Sequence, residues 1–334
     1  MTILATGGTI STTRGNDGRT APTLSGREVS ALTAVPGVTL VSRDLVRRPS
    51  WALEPAELAG IALTARDEAR AGSADASGPA GVVVTHGTTT LEYTAFLADL
   101  VLDVDTPVVL TGAMRRADDP AADGPANLRD AVAVAASEEA RGLGALVVFA
   151  GHIIAARRAW KAHRTGTDAF VDLGGDIGRV DQAGVRIERA PGRGPCFSGR
   201  LDERVAFVKA VPGMDGRIVE TALATGVHGL VVEALPGAGG IPPRMQPSVA
   251  AAAGAIPTVV ASRAPYGRLA DVPGGGTGDP LRELDLLSAG SLTAEQAWLL
   301  LMAALGDAED DEDARARFRA AATGITEADS EVKA

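Results

Sequence analysis

Short β-branched runs alternate with longer segments of helical periodicity along most of this chain, and that rhythm leaves few architectures open. TILAT, VTLVS, GVVVTHG, PVVLTG and GALVVFAG are continuous apolar runs ended by Gly, Thr or a small polar residue, as strands buried on both faces read. Between them, LEPAELAGIALTARDEARA, TLEYTAFLADLVLD and NLRDAVAVAASEEAR carry helical periodicity. Strand, helix and strand in succession predict βαβ units and a parallel sheet covered on both faces, hence an α/β fold. From Arg189 to about Asp202 the composition turns to Gly, Pro and Arg. The expected organisation is therefore a domain over 1–188, a linker over 189–203 and a smaller α/β domain over 204–334. RVAFVKAV, HGLVVEAL, IPTVVAS and the closing helix TAEQAWLLLMAAL belong to the second domain. A length of 334 residues suits two domains of roughly 100–200 residues each. The polar residues after Thr323 are expected to fray.

Several function classes drop out early. Net charge is −10, and the one dense charge run, EDDEDARAR from Glu309, mixes signs as the solvated start of a helix does. Nucleic acid calls for a basic stripe, so it is not an expected partner. A membrane is not expected either: no stretch reaches the roughly 18 apolar residues of a span. The start, MTILATGG, lacks the basic region and apolar core of a secretory signal. Cys196 is the only cysteine, so no internal disulfide can form, and the expected compartment is the cytoplasm. His86, His152, His163 and His228 show no metal-ligand spacing. His86, boxed between Thr85 and Gly87, is expected to be structural. Neither a metal nor a cofactor is expected.

In an open parallel sheet, ligands bind beyond the carboxyl ends of the strands. Three strands of the first domain end in similar punctuation: TGGTIS at Thr6, THGTTT at Thr85 and TGAMRR at Thr111. Glycines there let backbone approach a ligand, and the hydroxyls face one crevice. TGGTIS lacks the glycine spacing of a dinucleotide fold and the Lys-Ser/Thr ending of a phosphate loop. No G-x-S-x-G elbow is present.

Four segments in order, ATGGTIS, THGTTTLEYT, LTGAMRRADDPAADGPANLRDA and the lysine of WKAHRTGTDAF, together resemble the bacterial L-asparaginases and glutaminases, over nearly the whole chain. The resemblance implies an asparaginase-like fold, with a larger N-terminal flavodoxin-like parallel-sheet domain and a smaller C-terminal α/β domain. It implies a homodimer or homotetramer with the active site at the subunit interface. The implied chemistry is hydrolysis of a small-molecule amide through an acyl-threonine intermediate, without metal or cofactor. Carried over residue by residue, Thr6 is the nucleophile, Thr88 the second catalytic threonine, Lys161 the lysine and Ser50 the holder of the substrate carboxylate. Gly8, Gly87 and Ala113 are assigned to the binding wall. A threonine hydroxyl is inert until a base takes its proton, and a desolvated lysine can serve. The rival reading has Thr6 and Thr88 as helix caps and Lys161 as a solvated surface lysine.

Departures from the family pattern concern the substrate's amino group. Thr89 stands where the family has an aspartate that binds that group and contacts the lysine. Trp51 replaces a glutamine, and Ala238 stands where an asparagine is expected. The glutamate given by a neighbouring subunit is represented only by the candidates Asp279 and Glu283. An ion pair at about 4 Å is worth roughly 4 kcal/mol at an effective dielectric of 20. Its loss favours a substrate whose α-amino group is absent, acylated or in a ring. It also leaves Lys161 without the family's adjacent anion, which favours its neutral form. The alternatives are an ordinary cytoplasmic L-asparaginase that tolerates Thr89, and an inactive homologue that binds a small carboxylate.

Overall fold

The structure, a computed structural model, describes residues 1–74, 81–236, 239–269 and 284–330. They divide into two compact units, Met1–Pro191 and Gly192–Ala334. Ala238, Asp279 and Glu283 lie outside the described residues.

Along the first unit run β1 (Thr2–Ala5), β2 (Thr12–Arg14), β3 (Thr20–Pro22), α1 (Gly26–Ser30), β4 (Val41–Asp44), α2 (Pro55–Ala74), β5 (Val82–Thr85), α3 (Leu91–Val101), β6 (Val108–Thr111) and α4 (Gly124–Ala136). There follow β7 (Ala145–Phe149), β8 (His152–Ala155), β9 (Ala159–Lys161), β10 (Phe170–Asp172), β11 (Gly178–Asp181) and β12 (Gly184–Ile187). The main sheet has the order β12-β11-β8-β7-β6-β5-β1-β4. Its five strands from β7 to β4 are parallel, as the buried apolar runs predict. Three strands extend it antiparallel beyond β7, which the alternation did not foretell. Ala150 and Gly151, both at positive φ (51° and 78°), make the tight reversal from β7 into β8. Two side ribbons, β2-β3 and β9-β10, stand apart from this sheet. The strand expected at VTLVS lies slightly later, at Val41–Asp44, on the sheet edge with Val41 exposed.

Registry fixes where the loops emerge. Ala5 of β1 pairs with Thr85 of β5 and with Asp44 of β4, and Thr85 pairs with Thr111 of β6. The carboxyl ends of neighbouring strands are therefore level, and the three glycine-bearing turns leave the sheet side by side. Below them Ile3, Val83, Val109, Leu128, Val132, Leu146 and Val148 form a dry core with α4.

The second unit contains β13 (Val205–Lys209), α5 (Arg217–Ala224), β14 (Gly229–Ala234), α6 (Gln246–Ala255), β15 (Thr258–Ser262), β16 (Leu287–Ser288), α7 (Ala294–Asp307) and α8 (Asp311–Ser330). Its sheet, β13-β14-β15-β16, is parallel throughout. Thr293 and Gln296 form a reciprocal cap at the start of α7. The acidic run from Glu309 opens α8 with Asp311, Glu312 and Asp313 in its first turn, where the helix dipole favours anions. That helix continues to Ser330, past the point where fraying was expected.

Candidate active site

Three chain segments converge above the level strand ends. Gly7 and Gly8 take φ of 83° and 82°, a region open to glycine at no steric cost. They turn the chain away from β1 so closely that a Cβ on Gly8 would stand 2.5 Å from the Cα of Gly87. A Cβ on Gly87 would in turn meet the Ser50 hydroxyl oxygen at 2.5 Å. Neither approach tolerates a side chain, so glycine at both positions is a packing requirement. The Ser50 hydroxyl donates to the Gly87 carbonyl at 3.0 Å, and the Thr90 hydroxyl donates to the Ser50 carbonyl at 3.0 Å. Ser50, Gly8 and Gly87, all assigned to substrate binding from the resemblance, thus meet one another above the strand ends.

The three consecutive threonines separate into distinct tasks. Thr88 is nearly buried, and its hydroxyl oxygen accepts a hydrogen bond from Lys161 Nζ at 2.8 Å. Thr89 is exposed at the rim. Thr90 begins α3 but donates to Ser50 and makes no side-chain cap. Capping therefore explains neither Thr88 nor Thr90. Nor is Lys161 a solvated surface lysine: it is half-buried on β9, and burial lowers its pKa below the usual 10.5.

An anion does face this lysine, contrary to expectation. Glu92, in the first turn of α3, accepts a hydrogen bond from the Lys161 backbone N–H, and its charge raises the lysine's affinity for a proton against the larger effect of burial. The clue in the sequence was an acid four residues after Thr88, but first-turn glutamates are so common at helix starts that it did not stand out.

Thr6 is corrected more substantially. It is 0% exposed, and its hydroxyl donates to the Thr85 carbonyl at 2.9 Å while its backbone N–H donates to the same oxygen at 3.0 Å. A hydroxyl sealed from solvent and turned into the sheet cannot meet a substrate, so Thr6 is a stitch between β1 and β5. The threonine beyond the two glycines, Thr9, is partly exposed, and its hydroxyl makes no hydrogen bond to another described residue. Thr9 follows Gly8 and Thr88 follows Gly87, so the two hydroxyl-bearing residues leave one glycine–glycine contact.

The remaining wall positions differ. Ala113 is fully buried and its side chain belongs to the core. Trp51 is 71% exposed, which rules out a core role within this chain. His86 is fully buried, as expected of a structural histidine. Its Nδ1 donates to the Gly87 carbonyl at 2.9 Å, which leaves Nε2 to accept from the Thr94 hydroxyl at 3.0 Å. Desolvation drops its pKa from 6.5 to about 4, so the ring is neutral at physiological pH.

Lys161 itself is held by charged pairs behind it. β9 pairs with β10, Lys161 opposite Phe170. Just before β9, Arg157 bonds the Asp99 carboxylate of α3, and Arg158 lies 3.1 Å from the Asp172 carboxylate of β10.

Residues 1–193 match the family described as "Asparaginase, N-terminal", and residues 204–318 match the "Glutaminase/Asparaginase C-terminal domain". The chain belongs to the asparaginase family. A probable L-asparaginase from Deinococcus radiodurans is 38% identical over 324 residues, 95% of this chain and 96% of that protein. An L-asparaginase from Thermococcus kodakarensis is 32% identical over 330 residues, 94% of this chain and 95% of that one. The solved thermostable L-asparaginase from Thermococcus kodakarensis superposes with a TM-score of 0.83 over 97% of this chain and 98% of its own, at 29% identity. A probable cytoplasmic L-asparaginase from Campylobacter jejuni gives 0.78 at 26% identity, covering 95% and 98%. This asparaginase-family chain is an amidohydrolase of a two-domain α/β fold.

Proposed function

We propose that this amidohydrolase splits a small carboxamide through an ester on Thr9, with Thr88 and Lys161 as its proton-transfer pair. The observation that carries the reading is the 2.8 Å contact between Lys161 Nζ and the Thr88 hydroxyl, made by a lysine whose burial favours the neutral form. Thr9 Oγ1 bonds to the amide carbon, and its proton passes through Thr88 to Lys161. Backbone N–H groups of the two glycine turns face the developing oxyanion. The C–N bond then breaks, ammonia leaves with the returned proton, and water cleaves the ester to free acid. Because Thr88 is the hydroxyl in contact with the lysine, a second reading makes Thr88 the acylated residue.

We propose further that specificity is shifted away from free asparagine. Thr89 at the rim carries no charge for an α-ammonium, and the exposed indole of Trp51, next to Ser50, suits an uncharged or acylated group. The competing reading, an ordinary L-asparaginase, draws on the names of the relatives. The decisive experiment compares ammonia release from L-asparagine, N-acetyl-asparagine and succinamic acid, with acid quench and peptide mass mapping of the adduct. The ester is expected on the peptide containing Thr9, with the substrates lacking a free amine preferred. Thr89→Asp is expected to raise turnover of asparagine about tenfold, less than the full pair energy because water screens an open rim. High asparagine turnover by the wild type, falling in Thr89→Asp, would overturn the shifted specificity. An adduct on Thr88 would select the second reading. We place the protein in the cytoplasm, a reading that rests on its single cysteine and on the solved relative described as probably cytoplasmic.

A further inference from the structure

Lys161 has two grips on it, and both come from one short segment. Thr88 takes the side-chain amine at 2.8 Å, and Glu92, four residues on, takes the backbone N–H. The segment between them opens α3, so a helix start is bolted to the strand that carries the lysine. We infer that Glu92 is the positioning residue for Lys161, fixing the lysine's backbone against α3 so that its amine meets Thr88. The inference rests on the reading of Lys161 as the base.

A first-turn glutamate can earn its place by the helix dipole alone. Two observations go beyond that. The carboxylate is directed at a neighbouring strand's N–H, a bond no dipole effect requires. Among the described residues, Glu92 is also the one charge that opposes the desolvation of the lysine amine. On α3 and β10 the other carboxylates are committed elsewhere, Asp99 to Arg157 and Asp172 to Arg158. On α2, packed against α3, Glu57 pairs with Arg48, Glu68 with Arg43, Asp67 with Arg66 and Arg70 with Asp103. Tyr93, beside Glu92, is the remaining titratable neighbour on α3. Glu92 therefore acts in two ways through one carboxylate, by geometry on the backbone and by charge on the amine.

Gln, Leu and Asp at this position separate the two. Glu92→Gln keeps an acceptor and removes the charge. Its Lys161 should become neutral at lower pH, since the charge that favoured protonation is gone. Glu92→Leu removes both and should lose turnover on the order of tenfold to a hundredfold by misplacing the amine, with KM changed little. Glu92→Asp keeps the charge but falls short by a methylene, and should rank between. Two readouts serve: ammonia release from whichever of asparagine, N-acetyl-asparagine or succinamic acid the wild type hydrolyses, and the pH dependence of Lys161 acetylation by limiting acetic anhydride, read by peptide mass spectrometry. The second needs no substrate. Circular dichroism selects folded variants, and the inference stands or falls on those. It is overturned if folded Glu92→Gln acetylates with the wild-type pH midpoint and folded Glu92→Leu, or Glu92→Asp in its place, keeps wild-type turnover. Lys161→Met retaining activity would instead remove the base reading, while the acetylation midpoint still reports on Glu92.

Discussion

Deleting the hydroxyl of Thr6 and deleting that of Thr9 should have opposite consequences. Thr6→Val loses one buried hydrogen bond to Thr85, worth about 1 kcal/mol, and should keep its turnover. Thr9→Ala removes a partly exposed hydroxyl and should leave the urea midpoint unchanged, while turnover falls by at least about a thousandfold. Wild-type stability with lost activity in Thr6→Val would restore the assignment made from sequence. That assignment failed for a reason visible in the geometry. Two threonines flank Gly7 and Gly8, and a linear motif does not say which hydroxyl faces the crevice. Residue 6 continues the strand into the sheet, whereas the left-handed glycines carry residue 9 out of it. Thr88, Lys161, Ser50, Gly8 and Gly87 were legible because each depends on a distinctive local pattern. Glu92 was not, because an acid in a helix's first turn is ordinary and nothing local marks the strand N–H that it meets.

Helix α3 is the element on which the site turns, and His86 ties it down. The ring bridges the Gly87 carbonyl and the Thr94 hydroxyl, so turn and helix move as one. Its pKa is about 4 when folded and 6.5 when free, so the unfolded chain takes up a proton that the folded chain refuses. The stability this neutral ring supports is complete above pH 6.5 and is lost as pH falls through 4. The full loss is about 3 kcal/mol, at about 1.4 kcal/mol per unit. His86→Gln, which keeps a donor and an acceptor, should flatten that dependence between pH 6.5 and 4.5 in urea titrations. Identical slopes in both proteins would show that other groups set it. At this scale β5, β6 and β7 were legible because each is a buried apolar run, and the helices between them because their apolar residues recur at helical spacing. The antiparallel strands were not. β11 and β12 are four residues each, half-exposed and polar, so they carry no burial signal of their own. The three-residue β9 is a strand only because β10 pairs with it.

At the scale of the whole molecule, the second unit leaves large apolar side chains in solvent. Phe207 of β13, Val211 just after it and Ile218 of α5 are 37%, 50% and 49% exposed, within twelve residues of sequence. β13 is also an edge strand, with one row of backbone groups unpaired within its sheet. Single exposed apolar residues need no explanation, but three so close in sequence, next to an edge strand, offer apolar side chains that another chain can cover. We propose that a second copy covers it, consistent with the expected homodimer or homotetramer. A stable interface needs about 800 Å² from each partner, more than these three side chains supply, so they are anchors within a wider contact. Light scattering at micromolar concentration should then give a multiple of the 33.9 kDa chain mass. The double substitution Val211→Glu and Ile218→Glu places four carboxylates across a twofold contact and should reduce the mass to one chain. If the active site is completed by the neighbour, turnover should fall with it, and on dilution the wild type should lose activity at the concentration where its mass falls. A wild type that is monomeric and fully active would overturn both the shared site and the assembly. An oligomer unchanged by the double substitution would place the contact on another face.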